Sequence, residues 1–131
     1  VHLHKSNTKK IDKKTQIYLV NVFGETKSFL KICKIVFLGG SLIQHGGQNP
    51  LEAAHLGCKV IHGPSIYNFR EVYSLLKKNN ISSQIRDLKN AKTIINKNLN
   101  KKYNYNKITK RLNSIGNEVL IKNKKEISKY I

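Results

Sequence analysis

Asn49-Pro50-Leu51-Glu52, entered through Gly46-Gly47-Gln48, is the arrangement in this chain best suited to hold a polar ligand. A glutamate three residues past an asparagine can return a hydrogen bond to a helix start as a capping box. Turned outward, the same carboxylate is an acceptor open to another partner. Both readings are open for Glu52, and Asn49 is either a plain N-cap or a ligand contact beside it. Upstream, Gly39-Gly40-Ser41 supplies backbone N–H groups and a hydroxyl, which suit a phosphate approaching without a Cβ in its way. His45 is the histidine placed for a sugar or phosphate contact, although an exposed loop histidine fits the same position. Residues 38–69 hold six of the eight glycines, both prolines and three of the five histidines. Neither a dinucleotide fingerprint nor a P-loop occurs in that stretch.

The elements that must position these residues follow from the flanking pattern. Residues 17–22, IYLVNV, read as a buried strand, Gly24-Glu25 opens a turn, and 25–34 reads as a helix with Phe29, Leu30 and Cys33 on one face. A second apolar run, 35–38, stops at Gly39-Gly40. Asn49 as N-cap and Pro50 at the first helical position predict a helix that ends at Gly57. KVIH, 59–62, is the next strand, closed by Gly63-Pro64. The cap grammar repeats at Asn68 and Glu71 for a helix reaching Asn79-Asn80. Residues 81–85 then form the last strand, and Asp87 caps a further helix. Four strands separated by helices predict an α/β fold, a Rossmann-like parallel sheet flanked by helices. Two closing helices run from about residue 88, carried by Ile94, Ile95 and Leu99 and by Ile108, Leu112, Ile115 and Val119, with a polar hinge at Tyr103-Asn104 and a fraying last dozen residues.

Composition narrows the class. The 131 residues carry a formal net charge of +18. Up to residue 71 there are 10 Lys/Arg against 4 Asp/Glu, and beyond it 15 against 3. Lys/Tyr interleaving such as KNLNKKYNYNKITKR could follow a phosphate backbone or an anionic bilayer; a solvated Lys/Asn-rich face is the plainer reading, with nucleic acid the less favoured partner. Two cysteines, Cys33 and Cys58, make neither a disulfide framework nor a zinc site, and read as buried free thiols in a reducing compartment. His2 and His4 have zinc-like spacing but lack a third ligand nearby, so no metal site is expected. No apolar run is long enough to span a membrane, and the basic segment 1–13, expected to be irregular, reads as the interior of a longer protein.

The run GGSLIQHGGQNPLEAAHLGCKVIHGPSIYNFREVY resembles the C-terminal domain of bacterial 3-deoxy-D-manno-octulosonic acid (Kdo) transferases, colinear with their glycine-rich signature over Gly39–Glu71. Phe23-Gly24-Glu25 matches an earlier acidic Gly-Glu element, and with its flanks the resemblance covers about 14–131. It departs where Gln48 replaces a signature histidine and where Ala53 and Lys59 replace prolines. Gln48 keeps hydrogen bonding but loses a group that can carry a proton.

What the resemblance implies is the C-terminal half of a GT-B glycosyltransferase, with residues 14–131 as one nucleotide-sugar-binding domain. The donor would be CMP-Kdo, with no separate cofactor, and the reaction transfer of Kdo to a lipid A precursor in lipopolysaccharide biosynthesis. Glu52 would reach the ribose hydroxyls with Asn49 beside it, and Gly24 and Glu25 would approach the nucleotide from the neighbouring loop. Gly39, Gly40, Ser41, His45, Gly46 and Gly47 would lie along phosphate or sugar. In that family the acceptor domain and the general-base glutamate lie upstream, so the chain is expected to be inactive alone and to need a partner half before it meets lipid A precursor. The implied location is cytoplasmic, or peripheral on the cytoplasmic face of the bacterial inner membrane. A basic nucleotide- or nucleic-acid-binding protein, or a vestigial fragment, are the alternatives.

Overall fold

The computed structural model describes residues 1–4, 10–99 and 105–130. Three parallel strands, β3 (Ile35–Phe37), β4 (Lys59–His62) and β5 (Ser82–Gln84), form the main sheet in that spatial order. Before them come β1 (His2–Leu3), β2 (Tyr18–Leu19) and helix α1 (Thr26–Ile32). Between and after them lie α2 (Leu51–His55), α3 (Arg70–Lys78), α4 (Leu88–Leu99) and α5 (Tyr105–Ile127). Each connection within the main sheet carries a helix, as parallel neighbours require. The register sets Val36 opposite Val60 and Val60 opposite Ser82.

Strand β4 is the centre because all four of its residues are buried. Its side chains alternate across the sheet. Val60 joins Leu30, Ala53, Ala54, Cys58, Tyr73, Leu76, Ile81 and Leu112 on one face, where α1, α2, α3 and α5 pack. Ile61 joins Ile85 and Ala91 on the other, under Ile94 and Ile95 of α4. Full burial of a side chain such as Ile61 contributes about 1.5–3 kcal/mol. Lys59 is also buried, and its Nζ donates to the carbonyls of Asn80 at 2.7 Å and Ser82 at 3.2 Å.

The ends of the short helices follow their caps. The N-cap of α2 is Pro50 rather than Asn49, which stands one residue earlier and accepts from the Leu51 N–H through its Oδ1 at 3.0 Å. At the other end Gly57 takes φ +85°, with Gly57 N–H bonded to Ala54 and Cys58 N–H to Ala53. Asn80, at φ +58°, closes α3 the same way, Ile81 N–H reaching the Leu76 carbonyl at 2.8 Å. Asp87 Oδ1 accepts from Asn90 N–H at 2.7 Å and caps α4.

Several expectations are corrected. The apolar run 17–22 keeps only Tyr18–Leu19 as strand, exposed and outside the main sheet, so that sheet has three strands where four were expected. Its partner is His2–Leu3, inside the segment read as irregular; the two pair in parallel. Cys33 lies beyond the end of α1 and is exposed; Cys58 alone is buried, its thiol bonded to the Leu30 and Cys33 carbonyls and pushed up to about 11 chiefly by burial. Asn68 does not cap α3; a 3-10 turn, Tyr67–Phe69, precedes that helix. Helix α5 runs to Ile127, and the hinge expected at Tyr103-Asn104 lies outside the described residues. Helix α5 packs through Ile108 and Leu112, and all of 116–130 is exposed. No helix among the described residues is long and apolar enough to cross a membrane.

Candidate functional site

Two loops leave the C-terminal ends of neighbouring strands: 38–49 after β3 and 63–69 after β4. They are laced together by hydrogen bonds that begin at Ser41. Its hydroxyl donates to the Leu38 carbonyl at 2.7 Å and accepts from Gly63 N–H at 2.8 Å, while its carbonyl accepts from Ser65 N–H at 2.9 Å. Gly46 N–H donates to Ser65 Oγ at 3.2 Å, and Asn68 N–H donates to the Gly46 carbonyl at 3.3 Å. Gly47 N–H closes the first loop on the Gly40 carbonyl at 3.1 Å.

Glycine is required at the points of closest approach. Gly46 has φ +89°, and a Cβ there would stand 2.3 Å from Asn68 Nδ2. A Cβ on Gly63 would stand 2.2 Å from the Ser41 carbonyl oxygen, which is backbone and cannot swing aside.

Beneath the loops, Tyr73 donates its hydroxyl to the Gln48 carbonyl at 2.9 Å, and burial pushes this phenol up to about 12. His62, the last residue of β4, packs its ring 4.3 Å from that of Tyr73. Its Nδ1 lies 2.7 Å from the Gly63 carbonyl, a contact that needs the proton on Nδ1. Burial lowers the His62 pKa below its ordinary value, the Gly63 carbonyl opposes that shift, and Lys77 adds a smaller lowering. The ring is therefore a neutral structural support under the loop.

The ten sequence-predicted residues thus divide by accessibility. Gly39, His45, Asn49 and Glu52 are exposed on the loop and the first turn of α2, and Gly40 is half-buried at φ +68°. The N–H groups of Gly39 and Gly40 donate to no group among the described residues, so both can face an anion. Glu52 forms no capping box: its carboxylate has no hydrogen bond or ion pair among the described residues. Ser41, Gly46 and Gly47 are buried and act as framework, so the Ser41 hydroxyl is committed away from any phosphate. Gly24 is exposed at φ +87°, but Glu25 Oε2 lies 2.8 Å from His4 Nε2, beside Tyr18 and Phe29. The structure holds 39–52 in one braced loop and helix start and ties Glu25 to the β1–β2 sheet. Helix α2 has five residues, too few for a sizeable macrodipole, so the loop amides outweigh the helix end as an anion site.

Ser65, Tyr67, Asn68 and Tyr73 brace the site through backbone atoms or close packing, and sequence reasoning missed their part. Only the glycines opposite them, Gly46 and Gly63, hinted at such close approach. No group of three or more His, Cys, Asp or Glu among the described residues could hold a metal ion.

No protein-family model matches the chain. It is 27% identical over 129 residues to a 3-deoxy-D-manno-octulosonic acid transferase of Haemophilus influenzae, covering 98% of this chain and 30% of that protein. It is 38% identical over 80 residues to the transferase of the same name from Rickettsia prowazekii, covering 61% of this chain and 16% of that protein. The chain thus spans less than a third of the length of these relatives. Among solved structures, the C-terminal CMP-Kdo binding domain of WaaA from Acinetobacter baumannii superposes with a TM-score of 0.67 at 24% identity, covering 77% of this chain and 53% of that one. By sequence the chain is a relative of the 3-deoxy-D-manno-octulosonic acid transferases, and its fold is that of the C-terminal CMP-Kdo binding domain of WaaA.

Proposed function

We propose that residues 14–131 form a nucleotide-sugar domain that holds CMP-Kdo for glycosyl transfer to a lipid A precursor. The observation that carries this reading is the 39–52 loop. The sequence colinear with the transferases folds into a braced turn in which the amides of Gly39 and Gly40 and the carboxylate of Glu52 have no partner among the described residues. Glu52, with Asn49 beside it, accepts ribose hydroxyls, while Gly39 and Gly40 face the phosphate. The acceptor hydroxyl attacks the anomeric carbon of Kdo as the bond to the phosphate oxygen of CMP breaks. Loop amides stabilise the charge gathering on the departing phosphate. The acceptor's proton goes to a base on a separate acceptor domain, so the 131 residues bind donor without transferring it. Their match to only 30% of the Haemophilus protein supports that division.

Titration of the folded chain with CMP, followed by amide-resolved NMR with UMP and a short RNA as controls, tests the reading. Saturable shifts within residues 39–52 for CMP are expected. A folded chain whose loop amides ignore CMP, or answer RNA alone, overturns it. Transfer of Kdo by the 131 residues unaided would sink the division between donor and acceptor domains.

A further inference from the structure

Next to the braced loop lies an open cavity of about 430 Å³, lined by Tyr67, Asn68, Phe69, Arg70, Glu71 and Val72. That volume is of the order of small-molecule sites. Two lining residues touch the glycine loop: Asn68 Nδ2 donates to the His45 carbonyl at 3.4 Å, and Tyr67 and Asn68 are the atoms a Cβ on Gly46 would strike. The cavity wall therefore adjoins the loop at His45 and Gly46. Arg70 is exposed, and its guanidinium makes no ion pair or hydrogen bond among the described residues. Position 70 falls between the signature residues Phe69 and Glu71, where the resemblance prescribes no residue type.

The donor proposed above is doubly anionic, because Kdo is a sugar acid and carries a carboxylate besides the phosphate of CMP. Glycine amides can serve the phosphate, but a second anion needs a second partner. Arginine presents a planar fork of donors that matches a carboxylate with two parallel hydrogen bonds. We propose that Arg70 binds the carboxylate of the donor sugar in this cavity and so distinguishes a sugar acid from a neutral sugar or the bare nucleotide. Arg70 is the cationic side chain among the lining residues, and Glu71 on the same wall can accept sugar hydroxyls.

This inference rests on the donor-site reading, and its test separates the two. Affinities of CMP and CMP-Kdo are measured by calorimetry for the wild-type chain, for Arg70→Gln, and for Arg86→Gln, an exposed arginine outside the cavity wall. Arg70→Gln is expected to weaken CMP-Kdo about tenfold while CMP changes less than about twofold, and Arg86→Gln to leave the ratio of the two affinities unchanged. If CMP binds but the ratio is unaltered in Arg70→Gln, or falls equally in both variants, Arg70 is not the carboxylate contact and the donor site stands. If a folded wild-type chain binds neither ligand, the donor site falls and this inference falls with it.

Discussion

Glu52 has no structural duty that a binding experiment would confuse with recognition: it is exposed, and its carboxylate has no partner among the described residues. Glu52→Gln should weaken CMP about tenfold in a calorimetric titration while shifting folding stability by less than about 0.5 kcal/mol. Ser41 is the opposite case. Ser41→Ala removes the acceptor of Gly63 N–H and the donor to Leu38, so it should cost about 1–3 kcal/mol in urea unfolding. His62 adds a pH dependence whose sign follows from its lowered pKa. Below about pH 6.5 the unfolded chain takes up a proton that the buried ring refuses, so stability falls with pH until the folded ring also titrates. Above that window the residue contributes no slope. Urea midpoints between neutral and mildly acidic pH should drop for the wild type, and His62→Phe should flatten that part of the profile.

The two loops behave as a single element, since Ser41, Gly46, Ser65 and Asn68 bond across the gap between β3 and β4. Gly63→Ala pushes a Cβ into the Ser41 carbonyl and should destabilise the domain by about 1–3 kcal/mol or more. Wild-type-like unfolding of that variant would show that the loops are not packed as described. Strands β3 to β5 and the helices between them were legible because their signals are local: apolar runs cut by glycine, Asn49 before Pro50, Asp87 before Asn90. The site was legible only as far as its glycines and the Asn49–Glu52 start. Bracing by Ser65, Asn68 and Tyr73 goes to backbone carbonyls and amides 19–25 residues away, which leaves no spacing to read. Asn68 shows the cost of local grammar, for its amide bonds across the loop gap to His45 although its spacing to Glu71 imitates a cap. Residues 17–22 failed for a related reason: apolarity alone does not name a strand's partner, and His2–Leu3 competes for Tyr18–Leu19 outside the main sheet.

On the scale of the molecule, charge and support are unevenly spread. The net charge of +18 is concentrated beyond residue 71, where the described helices put most lysines in solvent. Its composition favoured a solvated face over nucleic acid or membrane, and the residues proposed to hold the donor gather in the loop after β3 and at the start of α2. The inner and outer parts of α5 differ most. Ile108 and Leu112 dock on the core, but after Ile115 every described residue is exposed, Val119, Leu120 and Ile127 included. Gly116 falls at that boundary and weakens the helix by about 1 kcal/mol relative to alanine. The turns beyond it must stand on intrinsic propensity, which holds so short a helix only marginally in water. Amides past Gly116 should therefore exchange with deuterium through local opening within seconds to minutes, whereas Val60 and Ile61 should wait for global unfolding. The same chain would then carry two clocks, one set by fraying of the outer α5 and the other by the stability of the whole domain.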